Sequence, residues 1–107
     1  MTAPMDLAAL PDIDEPVLPT YAVYARFPVL ASGERDAIET VVSLLTAAEE
    51  PFHEIVLERL EPDGTYLVVV RFVLVSVDSQ TAVFGLHQTL RSAGLGIDEV
   101  WAGDQVA

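Results

Sequence analysis

The chain has 107 residues, 51% of them hydrophobic, enough for the core of one domain with residues to spare. Seventeen Asp and Glu stand against five Arg and no Lys, a formal charge of −12 that argues against phosphate backbones and anionic membrane surfaces as partners. Cysteine is absent, which excludes disulfides, thiol catalysis and Cys-ligated zinc and suits a reducing compartment.

Residues 1–19 hold four of the seven prolines (Pro4, Pro11, Pro16, Pro19) and four carboxylates (Asp6, Asp12, Asp14, Glu15). Proline at that density breaks regular elements, so a flexible or extended acidic tail is expected. Its spaced apolar residues, Leu7, Leu10, Ile13, Val17 and Leu18, leave two readings: a solvated leader, or a segment that docks on a partner or along the domain's own edge. The stretch has no basic residues and carries Asp6 in its first apolar run, unlike a signal peptide; a cytoplasmic location is expected.

Tyr21 to Val29 alternates as a strand (β1), with Tyr21, Val23, Ala25 and Phe27 on one side and Ala22, Tyr24 and Arg26 on the other. Pro28 is expected to end its pairing, having no N–H to donate. Ser32 reads as an N-cap, Glu34 and Asp36 supply negative charge to a first helical turn, and Ile38, Val41, Val42 and Leu45 form an apolar stripe (α1). Glu49-Glu50-Pro51 closes that helix. His53 to Leu60 alternates again (β2), and Glu61-Pro62-Asp63-Gly64 is a tight turn into the next strand.

That strand, Thr65 to Val77 (β3), is the most informative stretch. Tyr66, Val68, Val70, Phe72 and Leu74 occupy one face; Leu67, Val69, Val73 and Val75 occupy the other, interrupted by Arg71. Both faces are apolar, so both need cover. Asp78 or Ser79 then caps a second helix with the stripe Val83, Leu86, Leu90 and Ala93, stopped at Gly94 (α2). Ile97 to Ala102 forms a short last strand (β4), with Trp101 expected to close the end of the core or, as the alternative, to serve as a partner hot spot, and the residues beyond it frayed.

The order β1-α1-β2-β3-α2-β4 is the α+β pattern of ferredoxin-like (split βαβ) domains: a four-stranded antiparallel sheet with both helices on one face. A single domain over residues 20–104 is expected, with β1 and β3 central and β2 and β4 at the edges. The face away from the helices would then show Leu67, Val69, Val73 and Val75 beside Ala22 and Tyr24, a larger apolar patch than monomers usually expose.

Candidate ligand or interface residues are therefore Tyr24, Arg26, Val69, Arg71 and Val73. The two guanidiniums suit either a carboxylate-binding site or ion pairs with Glu54, Glu58 or another chain. No catalytic constellation is expected: His53 and His87 lack a nominated nucleophile or orienting acid, and no metal-ligand spacing appears, so neither cofactor nor metal is expected. Gly94-Leu95-Gly96 ends a helix, whereas phosphate loops begin one.

Three functions follow as expectations. The first is a non-catalytic module that forms a homo-oligomer, a dimer above all, or binds a partner protein or small ligand through the open sheet face. The second is a dimeric α+β-barrel enzyme drawing on His53, His87, Tyr24, Arg26 and Arg71. The third is an accessory subunit that docks through its N-terminal tail. Neither nucleic acid nor membrane is an expected partner.

Overall fold

The computed structural model describes residues 18–106. The tail expected over residues 1–19 lies almost wholly outside them. The described chain is an α+β fold of four antiparallel strands and two helices: β1 Thr20–Leu30, α1 Glu34–Ala47, β2 Glu54–Leu60, β3 Thr65–Val75, α2 Ser79–Ser92 and β4 Glu99–Gln105. The sheet order is β2-β3-β1-β4, with β1 and β3 in the centre. Among the described residues no helix is long and apolar enough to cross a membrane.

The period-two pattern of the central strands sorts as the sequence implies. Val23, Ala25, Phe27 and Val29 of β1 and Val68, Val70 and Phe72 of β3 form one buried cluster with Ala37, Val41 and Leu45 of α1, Ala82, Leu86 and Leu90 of α2, and Leu95. Both helices therefore cover the same face of the sheet. In each helix the innermost line runs at i, i+4, i+8 and begins with alanine, whose small side chain lets the first turn lie close to the strands. In α2 this line contains Ala82 in place of the expected Val83, which is half-buried beside it; Ala93 is an exposed C-cap residue.

Pro28 does not end β1. It sits opposite Leu67, and pairing with β3 runs on to Leu30 and Thr65. The Arg26 carbonyl accepts from the Asp98 N–H on the β4 side, so the backbone groups of alternate residues, Pro28 included, point that way. Pairing with β4 stops at Arg26 and Glu99, so no N–H is missed at Pro28.

The expected cap at Ser32 is also corrected. Gly33 is the N-cap of α1 and provides no side-chain bond. Asp36 instead reaches back, accepting from the Ser32 N–H at 3.1 Å and the Ser32 hydroxyl at 3.2 Å, a reversed capping arrangement. The helix ends in a Schellman turn: the Glu50 N–H donates to Leu45 and the Glu49 N–H to Thr46, with Glu49 at φ 57°. Gly94 plays the same part after α2, at φ 81° and with the Leu95 N–H donating to Leu90. Asp78 caps α2, its carboxylate accepting from the Thr81 N–H at 2.7 Å.

His53 lies just outside β2, exposed, though its N–H donates to the Arg71 carbonyl. β3 stops at Val75, two residues early, where the Ser76 N–H donates to Pro19. The residues after Ala102 are not frayed: β4 extends to Gln105, and the Val106 N–H donates to Thr20 at 2.7 Å. The register jumps from Val23–Ala102 to Tyr21–Gln105, so Gly103 and Asp104 face Ala22 alone. That two-against-one bulge interrupts the alternation a sequence reading depends on.

Candidate functional site

The sheet face opposite the helices is the surface of interest. Strand pairing places Ala22 beside Val73, Tyr24 beside Arg71, Arg26 beside Val69 and Pro28 beside Leu67. On the flanks, Trp101 and Glu99 of β4 stand next to Tyr24 and Arg26, while Glu54 and Val56 of β2 stand next to Arg71 and Val69. The five residues nominated from sequence, Tyr24, Arg26, Val69, Arg71 and Val73, thus share this face. The two nominated arginines differ sharply in their surroundings.

Arg26 is saturated with carboxylates. Its Nε donates to Glu58 Oε1 at 2.7 Å and its Nη2 to Glu58 Oε2 at 3.3 Å; Nη1 reaches Glu99 at 2.9 Å and Asp98 at 3.3 Å. Glu58 belongs to β2 and the other two acids lie at β4, so this arginine bridges the two edges of the sheet. β3 lies between β1 and β2, and the Arg26–Glu58 pair must pass over it. That accounts for the burial of Leu67 and Val69 on a face with no helix above it.

The electrostatics follow from these contacts. Hydrogen bonding to Glu58, then to Glu99 and Asp98, raises the Arg26 pKa further above its usual range against a smaller desolvation effect. The same Arg26 hydrogen bond, reinforced by its charge and that of Arg59, holds the Glu58 carboxyl below its ordinary value. Arg26 and Arg59 serve four carboxylates here, Glu58, Glu61, Asp98 and Glu99, so this end of the face carries an excess of negative charge.

Trp101 belongs to this cluster rather than to the core. Its ring stacks with Tyr24, centroids 5.7 Å apart and planes 17° from parallel, and the Arg26 Cζ lies 4.9 Å from the Trp101 centroid. Gly103 makes room for the stack: a Cβ there would come within 2.5 Å of Tyr24 Cε2 and 3.3 Å of the Ala22 carbonyl oxygen. Glu58 is one of the two carboxylates that the sequence offers Arg26 as a partner; Asp98, Glu99 and Gly103 are not foreseen there. Their assembly depends on the β4 register and bulge, which no local pattern encodes.

Arg71 is the counterpart. It is half-buried opposite Tyr24 and Glu54, yet among the described residues no carboxylate lies within ion-pair distance of it. Around it the apolar side chains reach solvent: Val73 is 40% exposed, Val56 48% and Val75 65%. At the opposite end of the face Leu30 is 78% exposed.

The imidazoles lie elsewhere. His87 sits on α2 in the helix layer, lining a groove of about 420 Å³ with Phe84, Val83 and the edge of β4, while His53 is at the start of β2. The groups named for an enzyme are thus divided between the helix layer, a loop and the far face of the sheet. Among the described residues no group of three or more His, Asp or Glu could hold a metal ion. No family model matches the chain, and neither a curated protein nor a solved structure matches it.

Proposed function

We propose that the protein is a non-catalytic binding module of the ferredoxin-like, split-βαβ type that pairs with a second copy of itself through the sheet face opposite its helices. In this reading the dimer is the unit that engages a protein partner or small ligand. The supporting observation is the face itself: Val56, Val73 and Val75 are open to solvent around a half-buried arginine that makes no ion pair among the described residues, and Leu30 is open at the other end. Removing such aliphatic surface from water contributes roughly 25 cal/mol per Å². The formal charge of −12 opposes self-association, so the dimer should tighten as salt screens the repulsion.

The experiment is the solution mass of the wild type and of Val73→Asp, by light scattering after size exclusion. A dimer that becomes a folded monomer on substitution supports the reading. A Val73→Asp protein that keeps its dimeric mass removes this face from consideration.

A further inference from the structure

The two halves of the open face complement each other, and we propose that they meet across a two-fold axis in a sheet-on-sheet dimer, Arg71 of each copy seated against the Glu58–Asp98–Glu99 cluster of the other. This rests on the self-association proposed above and adds its register. The first observation is charge. Among the described residues Arg71 makes no ion pair, not even with its cross-strand neighbour Glu54, while one strand position along the sheet Arg26 is shared by three carboxylates. A like copy is the one partner certain to present the missing acid and the missing base together.

The second observation is position. The register sets Arg71 with Tyr24 in one row and Val69 with Arg26 and Glu99 in the next. A two-fold axis lying in the interface between these rows exchanges them, bringing Arg71 over the acidic row of the opposite copy. The same operation exchanges the outermost rows, so the row of Val75, 65% exposed, and Thr20 lies over the row of Leu30, 78% exposed, and Thr65. Each end thus brings one exposed aliphatic residue to the junction, and Arg71 falls on the surplus anions. The long Arg and Glu side chains span the offset between strands of two twisted sheets.

Specificity would come from the charges and area from the aliphatic ends. Removing the cation leaves the cluster's extra carboxylates facing apolar surface, an arrangement that costs heavily once water is excluded.

The test is charge reversal, read as the dimer dissociation constant by analytical ultracentrifugation, with circular dichroism reporting the fold. Arg71→Glu should weaken the dimer by roughly thirtyfold or more, Arg71→Gln by less, because the neutral side chain adds no repulsion. Arg71→Glu with Glu99→Arg in one chain should restore much of the affinity, since each reciprocal contact regains opposite charges. Val75→Asp and Leu30→Asp should each weaken it as well. An Arg71→Glu dimer of wild-type affinity overturns this register while leaving self-association standing. A monomeric wild type overturns both, as does recovery of a dimer only when residues 1–17 are deleted, which would assign Arg71 to the chain's own acidic tail.

Discussion

The guanidinium carbon of Arg26 lies 4.9 Å from the centroid of the Trp101 ring, while its nitrogens hold Glu58, Asp98 and Glu99. Edge strands β2 and β4 are thereby tied through one side chain of a central strand, on the face that the helices do not cover. Because the chain contains a single tryptophan, its fluorescence reports on this cluster alone.

Arg26→Met keeps the apolar stem and removes the charge. It should destabilise the fold by about 1–2 kcal/mol, toward the low end because the released carboxylates can rehydrate. Added salt should recover part of the loss by screening the three released acids, of which only Glu58 keeps a neighbouring cation, Arg59. Urea melts at low and high salt, followed at Trp101, check this; an unchanged midpoint would mean the ion pairs contribute nothing net.

Gly103→Ala tests the packing beneath Tyr24. The new methyl would need the space held by the Tyr24 ring edge, so the ring must shift from its stack on Trp101. A loss of about 1–3 kcal/mol and an altered Trp101 emission are expected. Wild-type emission and stability together would show that the bulge accommodates a side chain.

The sign of the pH dependence is the same for Glu58, Asp63 and Asp78, all held below their ordinary values, Asp63 by the Thr65 N–H. Glu58 is held below its ordinary value of 4.5 by Arg26, and Asp78 below 3.8 by the Thr81 N–H it accepts at the α2 cap. A depressed folded pKa contributes stability above the unfolded value and loses it as pH falls through the folded one. Stability should therefore decline below about pH 4.5, and Glu58→Gln should flatten part of that decline. Denaturant midpoints between neutral and strongly acidic pH give the comparison; parallel curves would contradict the assignment.

Glu49→Gly should stabilise the protein. Glu49 holds a left-handed backbone at φ 57° after α1, a conformation that disfavours a side chain by about 1–2 kcal/mol. Glycine relieves that strain but gains unfolded-state entropy, so a net increase of roughly 0.5–1 kcal/mol is expected. A lower thermal midpoint would show that the Glu49 side chain makes a compensating interaction.

Much of this architecture is legible along the chain because its strongest signals are local. The two-sided apolar run of β3 places Val70 and Phe72 under the helices and Val69 and Val73 on the open face, since a period of two leaves no third choice. Asp78 and Gly94 mark the ends of α2 through chemistry confined to one turn. What local pattern misreads is set by neighbours in space. Pro28 is tolerated because β4 does not reach it, and Gly33 takes the cap position of α1 while Asp36 holds Ser32 by accepting from its N–H and hydroxyl. Trp101 is turned away from the core by the β4 register. The acidic partners of Arg26 come from two separate segments, so although Glu58 is foreseen, the difference between a saturated Arg26 and an Arg71 with no ion pair among the described residues could not be read from spacing.

The most direct test of the proposed function is the solution mass of the wild-type chain by light scattering, across a wide range of protein concentration at two salt levels. The account predicts a dimer whose dissociation shifts to lower protein concentration as salt rises, with the Val73→Asp protein folded and monomeric alongside it. A wild-type chain that stays monomeric at every concentration and both salt levels would contradict it.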